Sequence, residues 1–155
     1  MMHELDTFDR AILRELQQDC RQSSERIAAV VSLSATAVQR RIKRLRESGV
    51  IGAEQAIVNP AAVGCPLSIL IQVTLAQGRA DILADFKQRA QATPEVQQCF
   101  YVTGDYDFLL IVSVANMLDN EQLTHRLFFE NPNIQKFHTV VVMESVKVGL
   151  HVCIA

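Results

Sequence analysis

Ser34-Ala-Thr-Ala-Val-Gln-Arg-Arg-Ile-Lys-Arg-Leu-Arg-Glu-Ser-Gly49 reads as one amphipathic helix. Val38, Ile42 and Leu45 fall at i, i+4 and i+7, so they share a face. Ser34 is a good N-cap, and Gly49 suits the position just past the C-terminus. The opposite face carries Gln39, Arg40, Lys43 and Arg44, with Arg41 and Arg46 on its flanks. From Arg40 to Arg46 there are five cations and no acid. One apolar stripe on an otherwise cationic helix suits the DNA major groove. A solvated helix kept soluble by its arginines would show the same pattern, so the preceding residues must decide.

Those residues spell two further helices. Asp6 is a plausible N-cap for a helix whose apolar stripe is Phe8, Ile12, Leu13 and Leu16. After the polar break at Asp19–Ser23, a short helix from Ser24 turns Ile27, Ala28 and Val31 inward. Ser32-Leu33 leaves room only for a tight turn before the cationic helix. Helix, short helix, tight turn, basic helix is the order in which a helix-turn-helix presents its reader. A protein-interaction module is the alternative, and it gives the arginines no task. For DNA each candidate has one. Gln39 matches adenine, and Arg40 or Lys43 matches guanine. Arg41, Arg44 and Arg46 are expected on phosphates. Thr36, in the first turn beside the cap Ser34, can meet a base edge or a phosphate.

The 155-residue chain is 49% hydrophobic and carries a net charge of only -2, so charge alone does not announce a nucleic-acid partner. The cations are concentrated instead: residues 1–63 hold nine of the fifteen Lys and Arg, five of them between Arg40 and Arg46. Cys20, Cys65, Cys99 and Cys153 have neither metal-ligand spacing nor the look of a disulfide framework. The N-terminus is charged within a few residues and the longest apolar run, Phe108–Val114, is too short to span a bilayer. The expectation is a cytoplasmic protein with reduced thiols, no metal, no cofactor and no membrane partner.

Beyond Gly49, Val50-Ile51-Gly52 and Ala56-Ile57-Val58 read as short extended pieces of a wing or linker, and Gly64 and Pro66 mark a boundary. Leu67, Ile69, Ile71, Val73 and Leu75 then alternate as a strand with one buried face. A helix over 80–90, a strand over 96–103, a tight connection at Gly104-Asp-Tyr-Asp107 and an apolar, central strand over 108–115 follow. A helix over 119–130 and a strand over 134–143 complete the order βαββαβ. Thr93-Pro94-Glu95-Val96 and Asn131-Pro132-Asn133-Ile134 end the two helices in the same way, a faint internal repeat. The predicted class is α+β: a winged helix-turn-helix domain over 1–52, a wing or linker over 53–66, and a ferredoxin-like domain over 67–155. Both helices of such a sandwich cover one sheet face. The other, including Leu70, Gln72 and Thr74, is left for a partner, most economically a second copy related by a two-fold.

Taken together the motifs resemble the Lrp/AsnC family of feast/famine regulators over essentially the whole chain. They are Leu5-Asp6-x-x-Asp9-x-x-Ile12-Leu13, Arg21-x-Ser23, Leu33-Ser34-x-x-x-Val38-x-x-Arg41-Ile42-x-Arg44-Leu45 and Gly49-Val50-Ile51, then Val102-Thr-Gly104-Asp105-Tyr106-Asp107, Thr139–Met143 and Val146-Lys147. One departure is Ser32, where the family usually has glycine. If that residue takes positive φ, serine costs about 1 kcal/mol. The resemblance implies a RAM/ACT-like second domain that binds a small amino-acid effector between subunits. Carried over, its site falls on Thr103, Gly104, Asp105, Tyr106 and Asp107, with Thr139 and Val141 as neighbours. Backbone N–H groups of the glycine turn suit an α-carboxylate, and Asp107 suits an α-ammonium. Gly and Asp are equally good residues for a plain hairpin turn.

The resemblance thus implies a transcriptional regulator whose partners are double-stranded DNA, an amino-acid effector and further copies of itself, as a dimer or, beyond it, a tetramer or octamer. Effector would act by favouring one subunit arrangement. Some relatives with this outline resemble porphyrin decarboxylases, which makes an enzyme the alternative. No nucleophile–base pairing supports it here.

Overall fold

The computed structural model describes residues 4–155. The chain divides into two compact units. One comprises the residues up to Ala56 together with Lys147–Ala155, and the other is Ile57–Val146. The segment 147–155, read from sequence as the end of the second domain, packs with the first.

In the first unit, α1 (Thr7–Gln18), α2 (Ser24–Val31) and α3 (Ala35–Glu47) surround a core of Ile12, Leu13, Ile27, Ala28, Val31, Val38, Ile42 and Leu45. Each helix begins where a short polar side chain replaces a missing backbone partner. Asp6 accepts from the Asp9 N–H, Ser23 from Arg26 and Ser34 from Ala37. At Asp6 the cap is reciprocal, since the Asp9 carboxylate accepts from the Asp6 N–H. The N–H donated by Asp9, followed by Arg41, holds the Asp6 carboxyl below its ordinary pKa.

Two expectations change here. Phe8 is 39% exposed rather than in the core, and Asp9, one residue on, is fully buried in its place. No wing strand forms among the described residues 50–66. The Ile51 N–H instead closes back on the Leu45 carbonyl at 3.1 Å, and Ile51 packs on the helical core, so Val50-Ile51 caps α3. Only a single short 3-10 turn, Pro60–Val63, interrupts the linker.

The second unit is a four-stranded antiparallel sheet in the order β2-β3-β1-β4, built from β1 (Leu67–Leu75), β2 (Val96–Tyr101), β3 (Phe108–Val114) and β4 (Ile134–Val141). β3 is central, as its apolar run predicts. Two helices, α4 (Ala80–Ala92) and α5 (Met117–Thr124), complete the βαββαβ order. Ile69, Ile71, Val73 and Leu75 alternate into a core shared with Phe108, Leu110, Val112, Phe86 and Leu123. α5 runs on into one wide π turn, His125–Phe129. That extra residue in the turn lets consecutive Leu127 and Phe128 both face inward, and Phe128 stacks on Phe86 and meets Phe137 at a tilt. The uncovered face carries Leu70, Gln72, Leu109, Ile111 and Val140, with Phe100 47% exposed at its β2 end.

Ser32 ends α2 at φ 57° and ψ 44°, the left-handed region. Ser32→Gly should therefore raise stability by about 1 kcal/mol, read as a higher denaturant midpoint at unchanged slope.

Candidate DNA-reading helix and ligand pocket

α3 presents its exposed residues as one stripe. Thr36, Gln39, Arg40 and Lys43 lie at i, i+3, i+4 and i+7, all exposed, below the cap Ser34, which is exposed as well. Three of the five cations do not share this freedom. Arg41 Nη1 donates to Asp6 Oδ2 and to Asp9 Oδ1, each at 2.7 Å, and its guanidinium lies 5.5 Å above the Phe8 ring. Arg44 Nη2 reaches both Asp9 oxygens at 2.8 and 2.6 Å. Arg46 grips Glu54 through two bonds of 2.9 Å. These hydrogen bonds, first to Asp6 for Arg41 and to Glu54 for Arg46, raise the pKa of both guanidiniums.

Arg41, Arg44 and Arg46 are thus committed within the chain, where the sequence places them on phosphates. The Asp9 side chain is 1% exposed, and a buried carboxylate needs charged partners. Arg44 remains 44% exposed. Lys43 approaches Glu47 only loosely at 3.8 Å, with both side chains in solvent, a contact of little energetic weight. Arg40 has no carboxylate within salt-bridge distance among the described residues. The base-reading candidates Gln39, Arg40 and Lys43 therefore stand on the open face, and the guanidiniums beside them anchor the helix.

In the second unit the residues expected at the effector site separate. Thr103, Gly104 and Asp105 lie exposed in the β2–β3 loop, with Gly104 at φ 135°, and Tyr106 and Asp107 are half-buried. Asp107 fastens this loop to β1. Its N–H donates to the Val73 carbonyl at 2.9 Å, its Oδ2 accepts from the Leu75 N–H at 2.8 Å, and its carbonyl accepts from Val102. The hairpin role is thereby real, and half of the carboxylate is already engaged.

Thr139 sits elsewhere, opposite Ile71 on β4, about 13 Å along β1 from Leu75 at strand spacing. It lines a cavity of about 460 Å³ with Met117, Leu118, Asn120, Glu121 and Thr124 of α5. Val141, two residues on, is on the same side and exposed. The α5 residues escape the sequence reading because the helix starts earlier than 119: Asn116 caps it, its Oδ1 accepting from the Asp119 N–H. The signal was apolar Met117 and Leu118 at a helix start, and both stay exposed, at 51% and 62%. Asn120 is 5% exposed, and its buried Oδ1 has no donor among the described residues.

Two family models match the chain. The AsnC-type helix-turn-helix domain matches residues 5–46, and the Lrp/AsnC ligand binding domain matches residues 68–151. An HTH-type transcriptional regulator of Sinorhizobium fredii is 49% identical over 93% of this chain and 85% of its own length. The leucine-responsive regulatory protein of Haemophilus influenzae is 37% identical over 92% and 86%. Among solved structures, a Neisseria meningitidis transcriptional regulator in complex with L-Met superposes with a TM-score of 0.88 at 27% identity, covering 94% of each chain.

Removing the shared carboxylate should expose what it holds. Asp9→Ala should cost about 2 kcal/mol, below the ~3–5 kcal/mol of a fully buried pair because both guanidiniums still reach water. Chemical denaturation measures the loss, which should far exceed that of Lys43→Ala.

Proposed function

The chain belongs to the Lrp/AsnC family of transcriptional regulators, and on that premise we propose that α3 reads DNA through Thr36, Gln39, Arg40 and Lys43 while a small amino acid, held by the sheet domain, tunes the binding. A DNA-binding regulator with a ligand-binding domain is what the family and the curated relatives establish, and they leave no place for the decarboxylase alternative. The observation that carries the finer reading is the sorting of the α3 side chains. The residue types that discriminate bases face out, and the guanidiniums that would give only affinity are tied down. Ser34 serves as cap, with its hydroxyl beside the same face.

For the effector, support comes from the α5–β4 cavity, where Thr139 and Glu121 bring polar groups to a wall that Met117 and Leu118 make apolar. The Neisseria relative binds L-Met. Val141 lies beside Thr139 on that side of β4, and the loop Thr103–Asp107 belongs to the same site only if a second copy brings its loop to this cavity. We place the two-fold partner on the uncovered sheet face around Leu70, Ile111 and Val140, which would pair two reading helices for a two-fold operator. No helix among the described residues is long and apolar enough to cross a membrane.

Arg40→Ala should lower discrimination between a selected operator and random duplex by about 1–3 kcal/mol. Lys43→Ala should lower discrimination as well and, because its ammonium acts as a point charge, also reduce the salt slope by about one. Anisotropy titrations at several salt concentrations separate the two, and parental behaviour in both variants would move the reading face elsewhere.

A thermal-shift screen of the twenty amino acids should find at least one that raises the unfolding midpoint. Thr139→Val should shrink that shift while operator affinity in the absence of ligand stays at the parental value. A flat response across all twenty removes the effector half of the proposal.

A further inference from the structure

α1 is held from two sides. Its Asp9 side engages the reading helix. A second stripe, Arg10, Arg14 and Gln17 at i, i+4 and i+7, is spent entirely on the segment 147–155. Arg10 Nη1 donates to the Ala155 carbonyl at 3.1 Å, and Arg14 Nη1 to the Ile154 carbonyl at 3.2 Å. Gln17 makes a two-point bond with Val152. Its Nε2 donates to the Val152 carbonyl at 3.0 Å, and its Oε1 accepts from the Val152 N–H at 2.8 Å. His151 Nε2 donates to the Gln17 carbonyl at 2.7 Å, since a carbonyl only accepts. Ile154 is half-buried against the core of the helical unit. Side-chain recognition of an irregular segment's backbone, repeated over a whole helical stripe, is a docking site.

The same segment is continuous with β4. The last sheet bond is the Val142 N–H to the Ser68 carbonyl at 3.0 Å, and residues 142–146 then lead directly into the docked stretch. One run of backbone therefore joins Thr139 on the cavity wall to α1, and α1 through Asp9 to Arg41 and Arg44 of the reader.

We propose that residues 147–155 are a strap that fixes α1, and with it the reading helix, to the state of β4. Its ligand-dependent half rests on the effector reading above; its DNA half does not. The exposed polar bonds open cheaply, so a shift of β4 can loosen the strap without unfolding either unit.

The test is the full chain carrying Gln17→Ala and Ile154→Ser, compared with the parent. Hydrogen exchange should show the Val152 amide unprotected, with α2 and α3 amides unchanged, which establishes undocking without unfolding. Affinity for a duplex obtained by in vitro selection should then fall about fivefold or more without ligand. With L-methionine and L-leucine as probes, the thermal shift of the variant should persist while the ligand-induced change in DNA affinity disappears. An undocked strap with DNA affinity and ligand response both within about twofold of the parent, or with tighter DNA binding, overturns the proposal. If neither probe alters the parent at all, the effector reading is at fault. The strap is then decided by ligand-free affinity alone, a fall supporting it and parental affinity refuting it.

Discussion

One buried carboxylate organises the reading unit. Asp9 stands on the inward stripe of α1, where its spacing from Ile12, Leu13 and Leu16 calls for an apolar residue. Water cannot serve it there, so its stability depends on positive charge brought in from elsewhere. Arg41 and Arg44, one turn apart on α3, supply that charge and fix the angle between the first and third helices. The same carboxylate closes the reciprocal cap with Asp6. Helix start, helix pairing and reader orientation are thus settled by a single group. Its position in a polar network also makes the packing directional, as apolar contacts alone are not.

This arrangement explains why the fold was legible in the sequence and the division of labour on α3 was not. The helices were marked by their caps Asp6, Ser23 and Ser34, and β1 by its strict alternation. Those are local signals, set by nearest neighbours along the chain. Nothing local reveals that Arg41 and Arg44 meet a carboxylate some thirty residues earlier, and a cation run looks alike whether it faces solvent or a buried acid. The clue was Asp9 on the apolar stripe, which outweighs the aromatic Phe8 beside it. Phe8 lies out at the edge, where its ring supports the Arg41 guanidinium.

The sheet unit shows the same boundary between near and far. The order βαββαβ, the central β3 and the inward Leu123 and Leu127 followed from periodicity. The wide turn at His125–Phe129 did not, because three consecutive apolar residues, Leu127, Phe128 and Phe129, fit no single helical face. The wing was misread for a related reason: Val50-Ile51 is β-branched, but it is consumed in covering the end of α3. The loop at Gly104–Asp107 carries turn chemistry and effector chemistry in the same residues, and β1 claims one Asp107 oxygen for itself.

Neutralising the cations of α3 from within has a consequence for how such a protein finds and keeps its target. Among the cations of α3 only Arg40 and the loosely held Lys43 project charge without a close carboxylate, so the reading helix itself adds little long-range attraction to a polyanion. Residence then depends on simultaneous engagement. In the two-copy assembly proposed above, the first contact raises the local concentration of the second reader at its half-site, and occupancy rises with the geometry of the pair rather than with the strength of either hold. Occupancy built in this way is sensitive to spacing, and a small change in how two copies are set apart becomes a large change in time spent on DNA.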